Sequence, residues 1–275
     1  MMITSILVLI AIGLVASTFG AIVGLGGGII IVPSLVYLGP LLLDANISTS
    51  RAVGTSLTVL IFTALSSTLS FMKKKRVDFK TGWLLFITSG PASMIGAALT
   101  SHMKSSSFEI IFGIFMFLMA LLMILRDKLK PAKINWKIKR TFTDEQGQQM
   151  TYGYNLLPAL LIGFFVGLVS GLFGIGGGSL FVPLMVLLFR FPPHVATATS
   201  MFVIFLSSIL GSSIHGFEGD VDGYLVLVLA PSAWIGGKLG AMIASRMSGK
   251  GLLWLLRITL VLFSINMIIS GVRSM

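Results

Sequence analysis

Long apolar runs dominate this sequence and decide what it can fold into. An α-helix needs about 20 such residues to cross a bilayer. Eight runs come close to this length or exceed it: residues 3–23, 52–72, 81–100, 108–125, 154–173, 195–215, 223–245 and 251–270. Only 11% of the chain is charged, whereas an ordinary soluble domain has about 25%. The sequence therefore predicts an all-α integral membrane protein. Residues 1–5 hold no Lys or Arg, so we expect a retained span there rather than a signal peptide.

The second half of the chain repeats the first. The segment GLGGGIIIVP at 24–33 matches GIGGGSLFVP at 174–183. Three later landmarks recur in the same order: residues 52–56 match 196–200, 77–78 match 221–222, and 91–96 match 231–236. Chance similarity between apolar segments would not keep this order. The sequence therefore predicts two homologous repeats.

A polar stretch rich in lysine and arginine separates the repeats. We expect a first membrane repeat at 1–125, a basic cytoplasmic linker at 126–153 and a second membrane repeat at 154–275. Nothing in the composition of the linker indicates a folded domain, so a solvated connector is expected.

Two shorter apolar stretches, 29–43 and 179–191, decide the relative direction of the repeats. If both cross the bilayer, each repeat has five helices and the second repeat is inverted. The basic residues at 73–76, in the linker and at 246–250 then share one side, as the positive-inside rule requires. If both are re-entrant, the chain has eight spans and the charge asymmetry weakens. We favour ten segments in two inverted repeats, with both termini outside.

Each glycine run is expected to break a helix inside the bilayer. Residues 24–28 and 174–178 each hold four glycines, and each glycine costs about 1 kcal/mol of helix stability relative to alanine. The helix that follows would begin with free N–H groups and the positive end of its dipole, which favour an anion. Pro33 and Pro183 follow and are expected to act as a hinge or second helix break. Close helix packing alone is the alternative.

Several polar residues lie within the predicted spans. Thr55 and Ser56, repeated as Thr199 and Ser200, lie near the starts of related helices. Their hydroxyls could bind a substrate, cap the helices or bond to a neighbouring backbone. Lys238 lies in the middle of a predicted helix. A lysine at bilayer depth is expensive and by default functional, with snorkelling to the surface as the alternative.

The duplicated pattern Gly-x-Gly-Gly-Gly-x-x-x-Val-Pro, followed by Ala-x-(Gly/Ala)-Thr-Ser and Pro-x-x-x-Ile-Gly, resembles the TauE/SafE sulfite exporter family over both repeats. The resemblance implies a bacterial-type inner-membrane permease for sulfite or an organosulfonate. Together with the helix-terminus argument, it implies a substrate site. Its residues would be Gly26, Gly27, Gly28, Thr55, Ser56, Gly176, Gly177, Gly178, Thr199 and Ser200, with Lys238 added for its depth.

The predicted function is secondary transport, most simply export, of a small sulfur-containing anion by alternating access between the two glycine breaks. A proton or sodium ion is the candidate coupling partner, and a homodimer is left open. We expect no catalytic residues, no cofactor and no metal, because cysteine is absent and the three histidines are scattered. The net charge of +11 fits positive-inside loops better than nucleic-acid binding. A channel, a carrier of another small anion and a membrane scaffold are the alternatives.

Overall fold

A computed structural model describes residues 2–43, 47–100, 105–125, 136–143 and 149–273. Among these residues the chain forms ten α-helices and one β-hairpin. The first five helices are α1 (Met2–Val23), α2 (Gly28–Leu43), α3 (Thr49–Met72), α4 (Phe79–Thr100) and α5 (Ser105–Leu125). The hairpin strands are β1 (Ile138–Thr143) and β2 (Gln149–Tyr154). The last five helices are α6 (Leu156–Phe173), α7 (Gly178–Leu188), α8 (Pro193–Phe217), α9 (Gly223–Arg246) and α10 (Gly249–Arg273).

The helices form a bundle with an apolar outer surface. Within the described part of the chain, seven helices are long and apolar enough to cross a membrane, while α2 and α7 are shorter. Leu7, Leu161, Leu227 and Leu262 are each more than 60% exposed. A soluble protein rarely exposes a large continuous apolar surface. The all-α integral membrane fold is therefore confirmed.

The bundle is assembled from helix pairs that take one helix from each half. At its centre α3 packs against α8, and the two helices run antiparallel. The Thr58 hydroxyl lies 2.8 Å from that of Ser212, whereas Gly54, earlier in α3, meets His215, later in α8. In contrast, α1 runs parallel to α9 and α4 runs parallel to α6, since their contacts advance together along both helices.

Glycines let these paired helices approach closely. A methyl group on Gly236 would lie 2.7 Å from the Leu14 carbonyl oxygen in α1, and one on Gly163 would lie 2.8 Å from that of Leu85 in α4. Small residues at such positions are typical of helix contacts in membranes. Many glycines of the chain therefore serve packing.

One end of the bundle gathers the linker and three turns. The Arg76 side chain, just after α3, donates to the Ser245 carbonyl at 3.3 Å and lies 3.4 Å from the His194 ring at the start of α8. Near the other end, the Ser50 hydroxyl donates to the carboxylate of Asp220. Residues from both halves therefore meet at both ends.

Part of the linker is folded, contrary to the expected solvated connector. Strand β1 pairs antiparallel with β2, and Tyr152 and Tyr154 of β2 are buried. The Tyr152 ring packs on Phe191 with centroids 4.1 Å apart, and the Gly153 amide donates to the Phe189 carbonyl at 3.1 Å. Two buried tyrosines thus anchor a segment whose overall composition is polar. Residues 126–135 and 144–148 of the linker lie outside the described residues.

Candidate functional site

The two glycine runs adopt the same backbone. The first lies between α1 and α2, and the second between α6 and α7. Three glycines in each run have φ in the left-handed region, which side-chain-bearing residues rarely adopt. They are Gly24 (81°), Gly26 (82°), Gly27 (103°), Gly174 (69°), Gly176 (74°) and Gly177 (67°). The sequence repeat is therefore also a repeat of conformation.

The chain reverses direction at each run. A methyl group on Gly27 would lie 2.7 Å from the Ala16 carbonyl oxygen, eleven residues earlier. One on Gly177 would lie 2.9 Å from the side chain of Val166, again eleven residues earlier. Each run is thus the turn of a helical hairpin, and we call residues 24–28 and 174–178 the two tips.

The two tips meet in the centre of the bundle. A methyl group on Gly28 would lie 2.8 Å from the Cα of Ile175, and one on Gly178 would lie 2.7 Å from the Cα of Leu25. Hydroxyls cross between the halves at the same place. Ser56 of α3 donates to the Gly174 carbonyl at 2.8 Å.

The second half makes the reciprocal contact: the Ser200 hydroxyl of α8 donates to the Gly24 carbonyl at 3.0 Å, and it shares this hydrogen with the Thr197 carbonyl of its own helix at 2.9 Å. Leu60 and Ile204, near the middle of α3 and α8, cover Gly26 and Gly176. The tips therefore lie level with the middle of the two central helices.

Each tip presents the start of a helix. In α2, the first amide with an acceptor is that of Ile30, which donates to the Gly27 carbonyl at 3.0 Å. In α7, it is the amide of Leu180, which donates to the Gly177 carbonyl at 3.0 Å. The preceding amides, at 28–29 and 178–179, have no acceptor among the described residues. Free amides and the positive dipole end make such termini favourable for anions.

Two further hydroxyls next to the second tip were missed by the sequence analysis. Ser170 and Ser179 are buried, and neither hydroxyl has a partner among the described residues. An unpaired buried hydroxyl costs about 1–3 kcal/mol. The corresponding residues of the first half are Gly20 and Ile29, so a search for duplicated polar residues passes over them. The unpaired serines, unlike Ser56 and Ser200, have donors left for a ligand.

The predicted threonines bond to a neighbouring backbone, which is one of the three alternatives that the sequence left open. Thr55 accepts a hydrogen bond from the Asp222 amide at 3.0 Å, and Thr199 accepts one from the Asp78 amide at 3.0 Å. Each hydroxyl therefore holds the turn before a helix of the opposite half. The structure brings the predicted glycines and serines together, and places the threonines at the edges of this cluster.

The structure does not bring Lys238 together with the two tips. It is exposed on α9, whereas Gly236, Gly237 and Gly240 face inward against α1 and α3. Eight residues separate Lys238 from Arg246 at the end of α9, about 12 Å along the axis, so the snorkelling alternative fits its position.

The prolines do not interrupt their helices. Pro33 and Pro183 both lie inside continuous helices, α2 and α7. A second break at either proline, one of the two predicted roles, is absent from the described residues, and the predicted hinge stays a prediction.

A basic cavity lies at the linker end of the bundle. It has a volume of about 700 Å³ and is bounded by the turn after α3, the start of α8, the end of α9 and the hairpin. Its cationic lining residues are Lys74, Lys75, Arg76 and Arg246, and His194 also contributes. Among its described lining residues none is acidic.

Beside this cavity, Asp78 joins the hairpin to α4. The Tyr152 hydroxyl donates to the Asp78 carboxylate at 3.0 Å, and the Thr81 hydroxyl donates to it at 2.6 Å. Arg140 lies 3.9 Å away. Burial is the main cause, and the neighbouring Asp78 carboxylate the second, of a pKa of Tyr152 that lies above the ordinary value of tyrosine.

Comparison with known proteins assigns the chain to a family. The sulfite exporter TauE/SafE family matches residues 9–267. The "Probable membrane transporter protein YunE" of Bacillus subtilis is 49% identical over 272 residues, which cover 98% of this chain and all of the relative. A "Probable membrane transporter protein" of Methanocaldococcus jannaschii is 28% identical, with 89% of this chain and 88% of the relative covered. No solved structure matches.

The family and the names of these relatives indicate a membrane transporter and not an enzyme. The seven long apolar helices agree, since they make the chain a multi-pass membrane protein. The chain belongs to the sulfite exporter TauE/SafE family.

Proposed function

We propose that this transporter exports a small sulfur-containing anion, such as sulfite or an organosulfonate, which binds where the two tips meet. The observation that carries the proposal is the meeting of two helix N-termini in the middle of the bundle. The four amides without a described acceptor belong to these two termini, and the unpaired hydroxyls of Ser170 and Ser179 lie next to the second tip. Such donors suit the oxygens of an oxidised sulfur anion.

In the proposed topology, the chain forms two inverted repeats of five segments each. The central helices α3 and α8 are equivalent in the sequence repeat, and their antiparallel packing supports the inversion. The grouping of the α3–α4 turn, the hairpin, the start of α8 and the end of α9 around one cavity supports ten segments rather than eight spans. By the positive-inside rule, this basic end lies in the cytoplasm, and the termini lie outside the bacterial inner membrane.

Alternating access is the proposed mechanism. The tips, Leu60 and Ile204 close the centre of the bundle. Ser56 and Ser200 bind the tip of the opposite half, so a rocking motion of one half would carry the partner tip with it. The anion would then be exposed to the two sides in turn. A proton or sodium gradient would supply the driving force.

The basic cavity is the proposed cytoplasmic entrance. Helix α8 connects it with the tips, because His194 lines the cavity and Ile204 touches them. Ten residues of helix correspond to about 15 Å. A cleft of one charge sign raises the local concentration of its counter-ion. The opposite end of α8 carries Glu218 and Asp220, so the charge distribution favours entry of an anion from the linker side.

The decisive experiment is flux of labelled sulfite and sulfoacetate into proteoliposomes that contain the purified chain. Flux should saturate with substrate and should exceed that of phosphate and chloride. A Ser170→Ala, Ser179→Ala variant should raise KM at least tenfold. Thr68→Val is the matched control, because Thr68 is also buried with an unpaired hydroxyl but lies two turns away from Leu60 along α3.

Different outcomes test the location of the binding site and the identity of the substrate. Unchanged KM in the double serine variant would contradict the site between the tips. Saturable flux of phosphate without any flux of sulfite would show that the substrate is an anion of another class. Flux that rises linearly with concentration would favour a channel over a carrier.

A further inference from the structure

We propose that the end of α8 farthest from the basic cavity binds a divalent transition-metal ion through His215, Glu218 and Asp220. One ligand atom from each residue lies within 4.8 Å of the others. His215 is in the last turn of α8, and the two carboxylates follow in the turn that leads to α9. The three histidines are scattered along the sequence, which predicts no metal site; the fold brings His215 close to the two carboxylates.

The buried imidazole is the strongest indication of a ligand. His215 is 0% exposed, and neither of its ring nitrogens has a hydrogen-bond partner among the described residues. Burying a polar ring without a partner is expensive. A neutral imidazole nitrogen is a common metal ligand, so a cation bound by the two carboxylates would also satisfy the ring.

The turn after α8 folds the carboxylates back over this ring. The Asp220 amide donates to the His215 carbonyl at 2.8 Å, and Gly219 has φ of 77°. Asp220 also accepts from the hydroxyl of Ser50 in the first half. A hydrogen-bonded carboxylate is the arrangement that orients a metal ligand. Glu218 is exposed and free to close onto the ion.

The ligand set indicates the class of metal. One imidazole and two carboxylates suit Zn²⁺ and related ions, with water completing a tetrahedral shell. Zinc–ligand bonds of about 2.0–2.2 Å bring neighbouring ligand atoms to roughly 3.4 Å, so binding requires the carboxylates to move inward. A set of oxygens alone would instead suit Ca²⁺ or Mg²⁺.

At this position, a bound metal ion would affect the movement of the two halves relative to each other. Gly54 of α3 packs against the His215 side chain and the Asp220 carbonyl, and Ser50 holds the Asp220 carboxylate. A metal ion at this point would therefore fasten the start of α3 to the turn between α8 and α9. It would restrain the two halves at the end opposite the hairpin.

The test is calorimetric titration of ZnCl₂ into the purified, tag-free chain in detergent after treatment with a chelator. We expect one zinc ion per chain and a rise in the melting temperature. Glu218→Gln and Asp220→Asn should each weaken zinc affinity at least tenfold. CaCl₂ should bind far more weakly than ZnCl₂, because the set includes an imidazole.

One control variant and one test variant on the protein surface keep the result interpretable. His194→Gln removes a histidine at the other end of α8 and should leave zinc affinity unchanged. Glu218→Gln changes only an exposed side chain, so its folding is not in question. Absence of saturable 1:1 zinc binding, or equal affinity in wild type and Glu218→Gln, would overturn the proposal. The measurement involves no transported anion, so its result is independent of the proposed function.

Discussion

The Ser56 hydroxyl in the first half donates a hydrogen bond of 2.8 Å to the Gly174 carbonyl in the second half. Ser200 makes the reciprocal bond to Gly24 at 3.0 Å. Each half thus satisfies a backbone carbonyl in the tip of the other. The two tips form one structural unit to which both halves contribute.

Removal of these hydroxyls should destabilise the protein. Ser56→Ala and Ser200→Ala each leave a buried carbonyl with one donor fewer, so each should lower the free energy of unfolding by about 1 kcal/mol. Thermal unfolding in detergent is the measurement. The matched control is Ser213→Ala, because the Ser213 hydroxyl bonds only to Leu210 of its own helix. Equal effects at Ser56 and Ser213 would contradict the role of the cross-half bond.

The left-handed glycines should not tolerate a side chain. Gly24→Ala combines a φ of 81° with methyl contacts of 2.8 Å to Val182 and 2.9 Å to Ser200. Gly219→Ala is the matched control, since its φ is 77° but nothing lies within 4 Å of the added methyl. Backbone strain alone costs about 1–2 kcal/mol. The melting temperature should therefore fall clearly further for Gly24→Ala, and equal falls would show that packing at the tip is unimportant.

The basic cavity should control the apparent affinity for the transported anion. Lys74→Gln with Arg246→Gln removes two cationic lining residues and should raise KM several-fold for anions supplied from the linker side, with kcat little changed. The effect should shrink at high salt, because exposed charges are screened. Arg51→Gln, an exposed arginine at the other end of α3, serves as control. If KM is unaffected at low salt, the basic cavity is not the entrance for the anion.

Tyr152→Phe should loosen the hairpin without emptying its packing site. The substitution keeps the ring against Phe191 but removes the bond to Asp78, and a hydrogen bond to a charged group contributes about 1.5–3 kcal/mol. Thermal unfolding should show this loss. Tyr224→Phe changes an exposed tyrosine and should have little effect.

The same tyrosine predicts a pH dependence. Because the folded protein raises the pKa of Tyr152, the native state holds this proton more tightly than the unfolded chain does. Its contribution to stability is complete below the ordinary tyrosine pKa of about 10 and is lost as pH rises above it. Melting temperatures between neutral and alkaline pH should fall less steeply for Tyr152→Phe than for wild type. Parallel curves would contradict this assignment.

Much of the fold follows from the sequence, because the length of an apolar run and the position of a glycine run are local properties. The runs at 3–23 and 195–215 correspond to α1 and α8, and both glycine runs separate helices. The face that a membrane helix turns to its neighbours is harder to predict, since lipid-facing and buried positions are both apolar. For this reason the partners of Ser56 and Thr55 in the opposite half could not be assigned.

The sequence around Lys238 contains a signal for the direction in which this side chain points. Gly236, Gly237 and Gly240 mark the packed face of α9, and Lys238 projects from the other side of that helix. The small residues, more than the depth of the lysine, indicate its direction. The hairpin gave a weaker signal, because Tyr152 and Tyr154 stand in a stretch whose composition is otherwise that of a solvated connector.

The hairpin has a consequence for the energies of the transport cycle. It contacts Asp78 of the first half through Tyr152 and Phe189 of the second through Gly153. In the alternating-access proposal, two related halves that exchange conformations would pass between inward-open and outward-open forms of nearly equal free energy. The hairpin contacts both halves at one end of the bundle, and it would therefore make the free energies of the two forms unequal. In such a cycle, the free energy of the hairpin contacts would shift the resting population toward one of the two forms.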